Sequence, residues 1–567
     1  MSAELLAQID TAWRQLTASG APFELEEQLI DGRRLRVFKN AAKNLIELLA
    51  PARKFGEREF VVLQQQRWSF ARLFAEADAL ASQLAGRFGV VKGDRVAIAM
   101  RNRPEWMAAF LAASSLGAIV APLNSWGRRE ELLHGLNNSA PKVYVCDPQR
   151  FEPVAGELAA LGISAVVTDT GAGESGAASY EELVAAGAGQ EVPAVHLAPD
   201  DPALILYTSG TTSRAKGALS SQRAVCQALA NFDFQGALAG MTSPDVIQAM
   251  MASGYAPTTL MAVPLFHVSG LQFQFLAALR TGRRLVMTWK WDPEEALRLI
   301  AAERCTSFNG SPAMILQLLS SPSFATTDTG SLSAFGLGGS AVAPRVIELI
   351  RSSKPKSLSG TGYGLTETNG LGASASGAGY FYKPGSSGQL SPIIDVITVD
   401  AAGKFLPRGQ SGEIWLRGPT VMSGYWRDAE GTAAVLHDGW FASGDIGYVD
   451  AEGFIFIVDR IKDIVNRAGE KISTNEVEAC LISHAAVAEV AAFGLPDETL
   501  GEVLAAVVRL RPGAAASEAE LVAHVAQRLA GYKVPAHIII SAEDLPRNPS
   551  GKLLKRTLRE NVARNLS

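Results

Sequence analysis

The 567-residue sequence predicts an α/β protein: a large N-terminal domain of α/β sheets with a β-rich subdomain, followed by a small α/β C-terminal domain. Three observations carry this expectation. A chain of this length exceeds what a single hydrophobic core organises, so it divides into several packed units. Short Val/Ile-rich runs alternate with helical patterns along much of the chain, the pattern of largely parallel sheets covered by helices. From Lys383 the texture changes to strands punctuated by Gly and Pro turns.

Taken in chain order, residues 1–43 form an N-terminal extension, including "ELEEQLIDGRRLRVFKN", to which the sequence attaches no role. Residues 44–459 are expected to form the large domain, with strands at "DRVAIAM", "GAIVAPL", "KVYVC", "SAVVTD", "ALILYT" and "RRLVMTW". Trp106 to Leu123 is 18 residues without a charge, at the lower edge for a membrane-spanning helix. Ser114, Ser115 and Gly117 interrupt it, so it reads as a buried helix that stops before a buried strand and a turn. The β-rich stretch runs through "SGEIWLRGP" and "GWFASGDIGYVDAEGFIFIVD". Residues 460–462 form the junction to the small domain, 463–567, with helices at "TNEVEACLISH" and "SEAELVAHVAQRLA" around strands "VAEVAAFGLP" and "EVLAAVVRL".

Apolar residues make up 47% of the chain and charged ones 19%, the balance of a well-buried globular protein. A net charge of −5 without a dense Lys/Arg run argues against nucleic acid as a partner. The first twenty residues carry acids and break their apolar pattern early, unlike a signal peptide. Cys146, Cys226, Cys305 and Cys480 are scattered without metal-ligand spacing, which fits a reducing cytoplasm. No transmembrane segment is expected, and a homodimer is compatible with the composition.

The chemistry concentrates in five stretches. "YTSGTTSRAKGA" places hydroxyls, glycines and Lys216 directly after the apolar run "ALIL". It is not a Walker loop, because Lys216 follows Ala215 rather than glycine and helical sequence resumes only near Ser221. By composition alone such a stretch is more often a solvated turn than a phosphate site. Further on stand "YGLTE", "SGDIGYVD", "DRIKDIVNRAGEKISTNEVE" and "PRNPSGK".

These stretches, in this order from about Asn44 to the C-terminus, resemble the adenylate-forming superfamily of acyl-CoA synthetases, luciferases and peptide-synthetase adenylation domains. The resemblance implies attack of a carboxylate on the α-phosphorus of ATP, then attack of the coenzyme A thiol on the acyl carbon. It assigns Thr208, Ser209, Gly210, Thr211, Thr212 and Lys216 to the β- and γ-phosphates. It assigns Tyr363 to adenine, Thr366 to the α-phosphate and Glu367 to Mg²⁺. Gly338, Gly339 and Ser340 would line the adenine and acyl sites, and Asp445 with Arg460 would hold the ribose. His267 would stand between the acyl pocket and the thiol channel. Lys552 would bridge ribose, α-phosphate and carboxylate, Lys462 would be the pivot of a domain rotation, and Gly469 would admit pantetheine. Ser213 and Ala215 depart from the family's usual glycine and proline.

The sequence therefore predicts an AMP-forming acyl-CoA ligase using ATP, Mg²⁺ and coenzyme A on a carboxylic acid, with a match around "YGLTETNG" most like bacterial fatty-acyl-CoA ligases. The apolar stretches "LFHVSGLQFQFL" and "FNGSPAMILQLL" suit a medium- or long-chain fatty acid. An aryl or short branched acid is the alternative substrate. A peptide-synthetase-like adenylation domain is the second enzymatic reading, against which His267 stands where aspartate is usual. A nucleotide- or acyl-binding pseudoenzyme is the reading that Ser213 and Ala215 motivate.

Overall fold

The computed structural model describes residues 2–170, 176–208, 215–339, 342, 344–468, 470–548 and 551–566. Among these, two sheets made mainly of parallel strands share one apolar core. The first has eight strands, in the order Gly424–Tyr425, Gly217–Ser221, Pro202–Tyr207, Ile119–Pro122, Arg95–Ala99, Val143–Cys146, Ser164–Val167 and Ala178–Ser179. The second has nine, with Leu358–Leu365, Ala334–Leu337, Ser307–Gly310, Thr258–Met261, Arg284–Met287 and Glu59–Leu63 as its parallel run. Strands buried on both faces explain why these segments are continuous Val/Ile/Leu runs rather than alternating ones.

The helix Pro104–Ser115 shows why the uncharged run resembles a membrane span. Every residue from Pro104 to Ser114 is buried, because the helix lies in the core between the sheets, with Trp106 stacked on Phe110. Its apolar surface faces protein on all sides, the condition for a helix that is hydrophobic all round. Among the described residues no helix is long and apolar enough to cross a membrane.

The first 43 residues are built into the core. Helix Ser2–Thr17 and the hairpin Leu25–Ile30/Arg33–Phe38 bring Trp13, Phe23 and Phe38 around Phe234 of the helix Gln222–Thr242, with ring centroids 5.6–6.4 Å away. The Gln227 amide closes the joint: it accepts from the Phe38 N–H at 2.9 Å and donates to the Phe38 carbonyl at 3.1 Å. Such edge and tilted aromatic contacts each add about 0.5–1.5 kcal/mol beyond area burial.

The β-rich texture divides later than Lys383. Gln389–Leu390 pairs with the nine-stranded sheet, and the antiparallel sheet begins at Asp395–Val399, continuing through Gly412–Arg417, Trp440–Val449 and Ile455–Arg460. After a 3₁₀ turn, Ile461–Asp463, the chain enters a separate five-stranded sheet. Its central strands Val487–Asp497 and Gly501–Leu510 alternate in period 2. Ala492, Leu504 and Ala506 face helices Thr474–Ile482 and Glu518–Ala526, while Ala491, Phe493 and Ala505 face helix Lys555–Leu566.

Candidate active site

The carboxyl ends of adjacent parallel strands in an α/β sheet are where loops can converge on a ligand. In the nine-stranded sheet four neighbours end together. Thr258–Met261 leads to His267, Ser307–Gly310 to Ser311, Ala334–Leu337 to Gly338 and Gly339, and Leu358–Leu365 to Thr366 and Glu367. At Gly338 and Gly339 an added Cβ would meet nothing within 4 Å, and Gly339 holds a φ of +82°, a conformation that side chains rarely adopt. Thr366 opens the 3₁₀ turn Thr366–Thr368, which Asn369 closes in the left-handed region.

The small domain brings its lysine hairpin to this edge. A Cβ at Gly551 would lie 2.9 Å from Ser311 Oγ, so the hairpin tip touches the large domain there. Asn548 holds the hairpin with its backbone and its side chain: Asn548 N donates to the Lys552 carbonyl at 2.8 Å, and Lys552 N donates to Asn548 Oδ1 at 2.9 Å. Lys552 is half-buried, and burial first, then the charges of Arg460 and Lys462, bring its ammonium down to about 7. Desolvation, and next the Arg460 charge, also hold Lys462 below its ordinary value.

Asp445 is the counter-charge to this group. It is 4% exposed, with Oδ2 accepting from Tyr363 Oη at 2.9 Å and Oδ1 3.3 Å from Arg460 Nε. Burial raises its pKa, opposed chiefly by Arg460. Buried Asp445 and the half-buried Asp463 thus act on Arg460, Lys462 and Lys552, which leaves an excess of positive charge suited to a polyanion. His267 lies on the same side. Its Nδ1 is 2.8 Å from Ser269 Oγ, and burial, with Lys552 as the second cause, depresses its pKa to about 4, so the imidazole is neutral at physiological pH.

Glu367 is half-buried, and its Oε1 accepts from Tyr425 Oη at 2.9 Å. Burial raises its pKa. Among the described residues no lysine or arginine pairs with it, and no cluster of three or more His, Cys, Asp or Glu stands together. A lone carboxylate free of a cationic partner fits a hard divalent ion whose other ligands are phosphate oxygens and water.

Lys216 immediately precedes the strand Gly217–Ser221 of the eight-stranded sheet. Its carbonyl accepts from Thr208 N at 2.9 Å, and Ala215 O lies 2.8 Å from His134 Nε2. The helix beyond the loop starts at Gln222 under a Ser221 cap, as its spacing predicts. Ser209, Gly210, Thr211, Thr212, Ser340 and Gly469, together with Ser213, lie outside the described residues.

Sequence reasoning missed four residues of this region. Tyr425 and Asp428 touch Glu367 and Lys216 respectively. Asn369 is fully buried and knits the turn, donating to Ser220 Oγ at 2.8 Å and to the Thr420 carbonyl at 2.9 Å while accepting from Gln272 Nε2 at 2.8 Å. Asp459, 2% exposed, receives Ser473 Oγ, Thr474 Oγ1 and the Asn475 N–H on one oxygen at 2.9–3.1 Å, which ties the small domain to the strand before the turn. A signal existed for Asn369 alone: an Asn directly before Gly marks a left-handed turn.

The profile of the AMP-binding enzymes matches residues 48–426, and that of the AMP-binding enzyme C-terminal domain matches residues 476–552. The chain belongs to the AMP-binding enzyme family. It is an AMP-forming acid–thiol ligase of the adenylate-forming superfamily, and its curated relatives are named as CoA ligases and CoA synthases. The long-chain-fatty-acid–CoA ligase FadD13 of Mycobacterium tuberculosis is 33% identical over 494 residues, covering 87% of this chain and 93% of the relative. A feruloyl-CoA synthase of Amycolatopsis sp is 35% identical over 492 residues, with the same coverage of 87% and 93%. The crystal structure of ATP-bound MatB from Rhodopseudomonas palustris superimposes with a TM-score of 0.79 at 29% identity, covering 92% of this AMP-binding enzyme and 99% of that chain. The ligase therefore binds ATP and coenzyme A as substrates and joins a carboxylic acid to the thiol.

Proposed function

We propose that this ligase activates a medium- or long-chain fatty acid as its acyl adenylate and passes the acyl group to coenzyme A in a reducing cytoplasm. The observation that supports the site assignment is the meeting of Arg460, Lys462 and Lys552 around Asp445 where the parallel strands end. A carboxylate is already an anion at neutral pH, so its attack on phosphorus needs no base and no protein nucleophile. What it needs is neutralisation of two approaching negative partners by fixed charges and dipoles. A carboxylate oxygen bonds to the α-phosphorus as the α–β bridging bond breaks, and pyrophosphate departs with the electron pair. In the second step the thiol sulfur bonds to the acyl carbon, AMP leaves with its oxygen, and the thiol proton goes to solvent.

In this reading Lys552 draws carboxylate and α-phosphate together, and Thr366 donates to the same phosphate. Asp445 accepts from the ribose hydroxyls beside Arg460. Tyr363, pinned through its hydroxyl to Asp445, presents its ring to adenine, with Gly338, Gly339 and Ser340 opposite. Thr208, Ser209, Gly210, Thr211, Thr212 and Lys216 grip the leaving pyrophosphate. Glu367 would hold Mg²⁺, which supplies additional positive charge on the phosphates. His267, neutral at working pH, serves as a packed divider between the acyl and thiol channels rather than as a proton carrier. The small domain, residues 463–567, turns about Lys462 between the two steps, withdrawing Lys552 and bringing the Gly469 segment in.

The fatty-acid assignment rests on the apolar walls. Phe232 and Phe273, tilted with ring centroids 5.2 Å apart, pack against the apolar core, and neither "LFHVSGLQFQFL" nor "FNGSPAMILQLL" contains an acidic residue, lysine or arginine. The long-chain fatty acid ligase among the relatives favours the same class. An aryl acid is the second reading, favoured by the feruloyl-CoA synthase, which is 35% identical. The four cysteines are buried free thiols, as a reducing compartment allows. Carboxylate-dependent exchange of labelled pyrophosphate into ATP across an acid panel decides between them. Fatty acids should exchange fastest, and faster exchange with cinnamate-type acids would transfer the assignment to aryl substrates.

A pH dependence follows from Lys552. In the free enzyme its ammonium loses its proton near pH 7, so kcat/KM for ATP in adenylate formation should fall above about pH 7, approaching tenfold per pH unit. A bound polyanion favours the charged form, so kcat should hold to higher pH. Lys552→Arg keeps its charge and should remove the descending limb of kcat/KM. A flat wild-type profile from pH 6 to 9 would contradict the role given to this lysine.

A further inference from the structure

Lys216 already has an anion. Its Nζ is 3.2 Å from Asp428 Oδ2 and 4.9 Å from the centroid of the Tyr425 ring. The same tyrosine donates its hydroxyl to Glu367 Oε1 at 2.9 Å. Residues 424–432 form a braced block. Gly424 and Tyr425 pair with Leu219 and Ala218 just after the lysine, and Tyr425 N donates to Thr432 Oγ1 at 2.8 Å, which in turn donates to the Asp428 carbonyl at 2.7 Å. Asp428 caps the short helix Ala429–Ala433, its Oδ1 accepting from Gly431 N at 2.7 Å. Room for the pair depends on that glycine, since a Cβ at Gly431 would lie 2.1 Å from Asp428 Oδ2 and 2.4 Å from Lys216 Nζ.

We propose that Asp428 is a positioning residue that competes with the terminal phosphates for Lys216 and so speeds the departure of pyrophosphate. This inference rests on the reading of Lys216 as part of the phosphate grip. An ion pair with a third of each side chain exposed is weak, so a polyanion displaces Asp428 readily. When pyrophosphate moves off, the carboxylate is in place to take the ammonium back, and the lysine never has to be left unpaired. Tyr425 holds both ends of this exchange, giving Lys216 an aromatic face and Glu367 a donor.

The test is inhibition by pyrophosphate, measured with the full-length enzyme. Asp428→Asn keeps the helix cap and removes the charge, since Asn caps as well as Asp. It should lower the inhibition constant for pyrophosphate about two- to fivefold, the strength of an exposed pair, and lower KM for ATP in parallel. Asp428→Ser, also a capping residue, should do the same and serves if the first variant folds poorly. In a Lys216→Met background, which by itself should weaken pyrophosphate binding, Asp428→Asn should have no further effect. If Lys216→Met weakens pyrophosphate but Asp428→Asn leaves its inhibition constant unchanged or raises it, the competition proposed here is wrong while the phosphate grip stands. If Lys216→Met itself leaves pyrophosphate binding unchanged, the grip assignment fails first.

Discussion

Lys552→Ala slows acyl-adenylate formation by about 100- to 1000-fold, the usual loss when one preorganised donor to a transition-state charge is removed. Thioester synthesis from supplied acyl adenylate and coenzyme A should stay within about threefold of the parent enzyme, because the role proposed for the lysine is confined to the first geometry. The reason is structural: Lys552 reaches the strand ends only through a hairpin braced by Asn548, and there it shares one carboxylate with Arg460 and Lys462. Single-turnover assays of each half-reaction check this. Equal damage to both would mean that the lysine supports the fold or coenzyme A binding instead.

Asp445→Asn should weaken ATP binding by about 10- to 100-fold, the loss expected if its carboxylate accepts from the ribose hydroxyls as proposed. The side chain sits between two donors, the Tyr363 hydroxyl and the Arg460 guanidinium, and an amide turns a donor of its own toward one of them. It also leaves Arg460, Lys462 and Lys552 without their shared buried counter-charge. Calorimetric titration with ATP measures the loss. Tyr363→Phe, which removes one hydrogen bond and keeps the ring, should cost only a few-fold. An Asp445→Asn enzyme with parental ATP affinity would show that the carboxylate serves packing alone.

Legibility in the sequence followed the range of the interactions. The parallel strands were readable because burial on both faces writes itself as Val/Ile runs, and the helix Pro104–Ser115 because Ser114, Ser115 and Gly117 end it. Asp445, Glu367 and Lys552 were legible through the resemblance of "SGDIGYVD", "YGLTE" and "PRNPSGK" to adenylate-forming enzymes, not through residue type alone. Tyr425 does not: nothing in "SGYWRDAE" says that its hydroxyl meets Glu367, 58 residues earlier, or that Asp428 meets Lys216. The N-terminal extension was opaque for the same reason. Trp13, Phe23 and Phe38 lie on separate elements, and their common target, Phe234, is known only once the chain has closed on itself. Asp459 reads as an ordinary strand-end acid until helix Thr474–Ile482 arrives to cover it.

The central claim is that two anions join at phosphorus under fixed positive charge, with no covalent help from a side chain. Turnover of a fatty acid carrying heavy oxygen in its carboxylate tests it most directly, by mass analysis of the nucleotide product and of the protein. The account predicts a single heavy oxygen in AMP, none in pyrophosphate, and an unmodified polypeptide throughout. Heavy oxygen in inorganic phosphate with ADP as the co-product, or an acylated side chain captured during turnover, would contradict it.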